Sequence, residues 1–235
     1  MTISPAKQSD QKLLIVIPAR GGSKGIPKKN LQRVGGKSLV IWSIEAAKMS
    51  TLPSVVVVST DDSEIMKEAR TMNVMVLDRP TSLSGDNSPT ELTMEHALME
   101  VSKNHIFSHI VLLQPTTPIR RKSLVDDAFA KLIYDDSDSI VGVVKRSPFF
   151  WRGPVDDSKP LFDPLNRPMR QEVLEGNYLY QETGNIYISK IKNFQNSKCR
   201  MSGKISLFLL TDNEGLDIDT QEDLDQVDQV LRGYK

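Results

Sequence analysis

A chain of 235 residues is long enough for one medium domain with a real hydrophobic core, and its thirty Lys and Arg balance thirty Asp and Glu. That neutrality argues against a dedicated nucleic-acid or membrane-surface binder, both of which usually carry a basic excess, so any anionic ligand has to be met by local positive charge. Cys199 is the only cysteine, which excludes an intrachain disulfide and a cysteine-cluster metal site and fits a reducing compartment, with a cytoplasmic location expected.

In chain order, residues 1–12 read as a flexible polar tail that fits neither a signal peptide nor a membrane span, and nothing further on is long and apolar enough to span a bilayer. Residues 13–235 read as a single domain. Apolar runs rich in β-branched residues at 13–18, 54–59 and 74–77 alternate with helical patterns at 38–50 and 62–72, the signature of βαβ units and a parallel sheet covered on both faces. Asp61 with Glu64 predicts a capping box, and Ser88-Pro89-Thr90-Glu91 a second one with proline at the first helical position. Met94, Leu98 and Val101 then recur as a buried stripe. A strand is expected at 109–114, a helix at 124–134 and a strand at 139–145. From 147 to about 181, prolines, glycines and aromatics break every period, which predicts an inserted small lobe. Strands resume at 185–189 and 205–210, and residues 220–231 form an amphipathic closing helix with Leu224, Val227 and Leu231 facing in.

The run PARGGSKGIPKKN (residues 18–30) follows the first strand, where an open α/β sheet receives ligands. Gly21, Gly22 and Gly25 let backbone N–H groups approach a phosphate, and Arg20, Lys24, Lys28 and Lys29 surround it with charge. No G-x-G-x-x-G spacing is present, and Gly36-Lys37-Ser38 lacks the first glycine of a Walker loop because position 31 is Leu31. In the extended segment DID, Asp217 and Asp219 project to one side while Ile218 turns to the core.

Six ordered segments carry a resemblance: ARGGSKGIPKKN, STDD (59–62), Arg79-Pro80, LLQPTTPIR (112–120), GNIYI (184–188) and DIDT (217–220). Together they resemble the acylneuraminate cytidylyltransferases, or CMP-sialic acid synthetases, over residues 13–224. The resemblance implies a three-layer Rossmann-like, mostly parallel sheet of the nucleotide-diphospho-sugar transferase type, with a small irregular dimerisation lobe. It implies transfer of CMP from CTP to the anomeric hydroxyl of a nine-carbon 2-keto sugar acid, with release of pyrophosphate and a need for Mg2+.

By that resemblance, Arg20, Lys24 and Lys29 hold the triphosphate, and Asn30, Arg79 and Thr90 line the ribose and cytosine pocket, with Asp86 at an acidic position before the same helix. Gln114, Thr116 and Thr117 belong to the sugar-acid segment, with Arg120 serving either substrate charge or a surface ion pair. Tyr187 belongs to the sugar-pocket strand, and Arg170 with Gln171 to a segment that reaches a neighbouring subunit's sugar site, implying a homodimer with composite sites. Asp217 and Asp219 are the metal candidates, and Arg20, Lys29 and Asp219 the catalytic set. Thr183-Gly184-Asn185 and Gln181 depart from the family pattern, which leaves legionaminic, pseudaminic and deaminated acids open as acceptors, alongside eight-carbon Kdo. A nucleotide-binding regulatory protein on the same fold is the non-enzyme alternative, and it predicts lost phosphate or metal residues, which are all present.

Overall fold

The computed structural model describes residues 12–23, 25–85 and 87–233, without the side chain of Arg170. Lys24, Asp86, the tail at 1–11 and the Arg170 side chain therefore lie outside the described residues.

Strand β1 (Leu13–Pro18) is an unbroken apolar run, Leu13 through Ile17 being wholly buried. Burying such a side chain stabilises by roughly 1.5–3 kcal/mol, which places β1 at the centre of the molecule. A short ribbon, β2 (Arg33–Val34) with β3 (Lys37–Ser38), leads into helix α1 (Leu39–Lys48), capped by Ser38 Oγ accepting from the Ile41 N–H. Then follow β4 (Ser54–Thr60), α2 (Ser63–Thr71), β5 (Met75–Asp78), α3 (Thr90–Val101), β6 (His109–Leu112), α4 (Leu124–Tyr134) and β7 (Ser139–Arg146). Two short strands, β8 (Trp151–Arg152) and β9 (Lys159–Pro160), pair within the lobe. The long β10 (Leu179–Lys190), α5 (Ile191–Ser197), β11 (Ile205–Leu210) and α6 (Gln221–Gly233) complete the chain.

The main sheet has the order β11-β7-β10-β6-β1-β4-β5. All its pairings are parallel except those of β10, which is antiparallel to both β6 and β7. Helices α1, α2 and α4 pack on one face with Ile15, Ile17 and Val111, while α3 and Phe194 of α5 cover the other with Leu14, Val16 and Leu112. This is the expected three-layer architecture.

Several expectations need correction. The cap of α2 is Asp62, which accepts from the N–H groups of Glu64 and Ile65, whereas Asp61 accepts from the Gly21 N–H at 2.9 Å. Helix α3 begins at Thr90 after Pro89, with no side-chain cap, so the Ser88 capping box does not form. The Lys12 carbonyl accepts from the Ser108 N–H, so Lys12 belongs to the folded domain. The lobe ends before Leu179, because the polar run 179–182 pairs with β7 as the first half of β10. Period-2 alternation is absent there since this half is solvated; a register shift between Glu182 and Tyr187 separates it from the buried half. Helix α5 was missed because Phe194 is its one buried residue.

Candidate active site

The site forms where the carboxyl ends of β1, β4, β5 and β6 open. A cavity of about 430 Å³ is lined there by Arg20, Ser23, Gly25, Lys29 and Asn30 from the first loop, by Arg79, Leu83, Gly85 and Ser88 after β5, by Thr90 and Thr93 on α3, by Gln114, Pro115 and Thr116 after β6, and by Asp219.

A satellite core holds the three loops in register. Ile26, Ile119 and Ile218, one from each loop, are buried together with Val34, Leu39 and Leu224 and Val227 of α6. Ile218 turns inward as expected, fully buried between exposed Asp217 and Asp219. Its N–H donates to the Thr116 carbonyl at 2.9 Å, joining the last loop to the third. The first loop closes on the last through Gly25: a Cβ there would stand 2.5 Å from the Asp219 carbonyl oxygen. Gly21 is likewise bare for packing, since a Cβ would meet the Asp62 side chain at 2.7 Å. With its N–H given to Asp61, Gly21 does not offer a donor to a phosphate, contrary to the expectation from sequence. Lys28 also departs from that reading: it sits in the left-handed region at φ 49° and pairs outward with Glu64.

Lys29 donates from Nζ to the Ile218 carbonyl at 2.7 Å and to Asp219 Oδ1 at 3.0 Å, bridging the first and last loops. Asn30 is buried and donates from Nδ2 to the Arg20 carbonyl at 2.8 Å, so it shapes the arginine's backbone as well as lining the cavity. Asp223 in the first turn of α6 accepts from the N–H groups of Asp219 and Thr220 at 3.0 and 2.8 Å and fixes the turn that presents Asp219.

Arg79 is nearly fully buried, donating to Ser59 Oγ at 3.2 Å and to the Ser59 carbonyl. Burial lowers its pKa to about 10; Asp61 opposes that shift, and the nearby Arg20 adds to it. At neutral pH it remains a cation. Two guanidiniums close enough to perturb one another beside a polar cavity favour an anion between them.

Other predicted residues are placed differently. Thr117 is wholly buried and does not line the cavity; its hydroxyl donates to the Gln114 carbonyl at 3.2 Å. Tyr187 packs in the core with its hydroxyl on Glu182 Oε1 at 2.8 Å, its pKa raised first by burial and then by that bond. Arg120 makes no surface ion pair: it points inward and donates to Ser43 Oγ and to the carbonyls of Gln114 and Asn185. Asp217 lies beside rather than in the cavity. Among the departures, Thr183 and Asn185 are both buried, and Asn185 Nδ2 donates to the carbonyls of Ile119 and Glu214 at 3.0 and 2.7 Å, so they act on the scaffold. The cavity residues Ser23, Leu83, Ser88 and Thr93 were missed. Only Thr93 left a trace, as a polar residue one turn beyond Thr90 beside the apolar stripe.

In the lobe, Arg167 stacks between Phe149 and Phe162, and Trp151 meets Phe162 edge-on, so part of the aromatic set covers its own domain. Phe150, Trp151 and Leu165 remain exposed. No helix among the described residues is long and apolar enough to cross a membrane.

The chain resembles known proteins in sequence and in fold. The chain is 29% identical over 221 residues to the pseudaminic acid cytidylyltransferase of Campylobacter jejuni subsp. jejuni serotype O:23/36, covering 91% of this chain and 94% of that protein. It is 31% identical over 239 residues to N-acylneuraminate cytidylyltransferase A of Danio rerio, covering 98% of this chain and 54% of the relative. The fold is shared with a solved CMP:2-keto-3-deoxy-manno-octonic acid synthetase complexed with CTP, at a TM-score of 0.70 and 19% identity over 96% of this chain and all of that one. The sequence profile described as cytidylyltransferase matches residues 14–232, and with the cationic cavity at the carboxyl end of its sheet the chain belongs to the cytidylyltransferase family.

Proposed function

We propose that the protein transfers CMP from CTP to the anomeric hydroxyl of a nine-carbon 2-keto sugar acid. The hydroxyl oxygen forms a bond to the α-phosphorus, the bond from that phosphorus to the bridging β-oxygen breaks, and pyrophosphate leaves with the electron pair while the hydroxyl gives up its proton. Little covalent work falls to the protein in such a displacement; it has to position two anions and stabilise charge on the leaving phosphates. The observation that carries the reading is one cavity that Arg20, Lys29 and Arg79 line together with Gln114, Thr116 and Asp219.

Arg20 and Lys29 hold the triphosphate and stabilise the departing pyrophosphate. Thr90 and Arg79 flank the nucleoside end, and the loop from Gln114 to Thr116 faces the acid. Asp217 and Asp219 fit Mg2+: both are exposed oxygen donors, the Asp219 turn is fixed by Asp223, and Asp219 Oδ1 already faces a cationic ammonium at 3.0 Å. No group of three or more acidic, His or Cys ligands exists among the described residues, which suits an ion held by one or two carboxylates together with substrate phosphates. When bound, Mg2+ would neutralise charge on the phosphates.

The names of the two sequence relatives support a nonulosonic acid acceptor. The exposed Phe150, Trp151 and Leu165 support a homodimer formed through the lobe, which sedimentation velocity tests directly. The deciding experiment incubates the protein with CTP, Mg2+ and a panel of nine-carbon acids plus eight-carbon Kdo, following pyrophosphate release. Release with a nine-carbon acid is expected. Silence with every acid refutes the enzyme reading, preference for Kdo refutes the acceptor, and equal activity with UTP refutes the base.

A further inference from the structure

We propose that Arg120 and Gly184 are positioning residues for the acceptor half of the reaction, together holding the Gln114 side chain toward the cavity. The proposal rests on the CMP-transfer reading above. Gln114 lines the cavity, and both of its backbone groups are tied down. Its N–H donates to the Gly184 carbonyl at 3.2 Å, and its carbonyl accepts from Arg120 Nη2 at 2.7 Å.

Arg120 does more than hold one carbonyl. Its Nε and Nη2 both donate to the Asn185 carbonyl at 3.1 Å, Nη1 donates to Ser43 Oγ on α1 at 3.0 Å, and Nη2 reaches Thr117 Oγ1 at 3.3 Å. One guanidinium thereby ties the loop after β6 to β10 and to α1. Every acceptor is neutral, so the arrangement uses the rigid fork of donors rather than a salt bridge; lysine has no such fork. Burial lowers the Arg120 pKa to about 9, opposed by Asp217, and the group stays charged at neutral pH.

Gly184 sets the direction. A Cβ there would lie 2.4 Å from Gln114 Oε1, 3.2 Å from its Cδ and 3.4 Å from its Cβ. All three nearest atoms belong to one side chain, and Gly184 has no positive φ, so the bare α-carbon provides space for Gln114 and not a special backbone conformation. The carboxamide offers donors and an acceptor, the chemistry that suits the carboxylate and hydroxyls of a sugar acid. The triphosphate cations belong to other loops, so a fault in this unit should be felt by the acid and not by CTP.

The test uses the full chain with Gly184→Ala, Gln114→Ala, their double variant, Arg120→Lys and Arg120→Met. Two readouts are taken: KM for acceptor and for CTP, and the ¹H–¹⁵N signals of the Gln114 side-chain amide with no substrate present. Gly184→Ala should raise the acceptor KM about tenfold with the CTP KM within about twofold. In the Gln114→Ala background it should add nothing, because neighbours acting as one unit are not additive. Arg120→Lys should shift the amide signals and the acceptor KM the same way, less than Arg120→Met. Full additivity of Gly184→Ala and Gln114→Ala, unmoved amide signals in Gly184→Ala, or an equal rise in the CTP KM would each overturn the assignment. Amide signals that move in a protein that turns over no acid would uphold the positioning and sink the CMP-transfer reading.

Discussion

Gly25→Ala is a small change with a large expected effect. The added Cβ would stand 2.5 Å from the Asp219 carbonyl oxygen, with no other heavy atom nearer than 3.7 Å. Ordinary contact starts near 3.4 Å, so the first loop and the Asp219 turn must part by about 0.9 Å. The neighbour is backbone, and its turn is pinned by Asp223 and by buried Ile218, so it has little freedom to yield. A displacement near 1 Å between groups that must act together costs on the order of 10²-fold in rate. Pyrophosphate release with CTP and an accepted acid, measured below the melting transition, should thus lose roughly 10²-fold in kcat/KM, while the melting temperature falls by what an overpacking cost of ~1–3 kcal/mol implies. Gly22→Ala meets nothing within 4 Å and shows what reduced loop freedom does alone, expected to be less than about tenfold. Gly25→Ala within about threefold of wild type, or equal to Gly22→Ala, refutes the reasoning.

Asp219→Ala should leave the fold intact, since the side chain is 77% exposed, and lower kcat by roughly 10²-fold or more at saturating Mg2+; near-normal turnover would remove Asp219 from the metal site. Ile218→Ala opens the satellite core and should cost roughly 2–5 kcal/mol in urea unfolding, with activity falling in parallel. His109 is buried on α4's side of the sheet, edge-on to Phe129, and burial lowers its pKa to about 4 from 6.5, with Lys190 adding to the shift. The unfolded chain takes up that proton first, so the stability His109 contributes is present above pH 6.5 and lost on descending to pH 4. Relative to His109→Gln, wild type should lose roughly 3 kcal/mol over that interval, read by urea unfolding at each pH; parallel profiles would show that His109 does not titrate as described.

Much of the scaffold was legible because its signals are local. The run 13–17 is apolar on both faces and could only be a central strand, and the stripe Met94, Leu98, Val101 faces the sheet as its spacing requires. Ile218 was legible for the same reason, since alternation in DID leaves one residue to bury. What was not legible depends on how the backbone turns and on distant partners. Thr117 and Tyr187 lie in segments whose neighbours reach the cavity, but their own hydroxyls are used by Gln114 and Glu182, near in sequence and brought into reach by a turn and by the β10 register shift. Of the adjacent Asp61 and Asp62, either could cap α2; the choice is made by Gly21, forty positions earlier, which takes Asp61. Arg120 was weighed between substrate and surface because nothing in QPTTPIR reveals Ser43 or Asn185.

The same contrast explains how a polar cavity is held open. Arg79 is desolvated beside the cavity, and Asp61 and the hydrogen bonds to Ser59 oppose that cost more than the nearby Arg20 adds to it. Those partners offset part of the cost within the cavity, and the rest falls to the scaffold. That compensation lies beneath the cavity, in Ile26, Ile119 and Ile218, which bury one anchor from each loop against α6. Because these anchors tie the first loop to the loop after β6 and to the Asp219 turn, Arg20 and Lys29 cannot shift away from Gln114 and Asp219 without opening an apolar core. Ligand binding then meets cations already held in place instead of ordering three loops, which is the condition under which fixed charges act most strongly on a phosphate undergoing displacement.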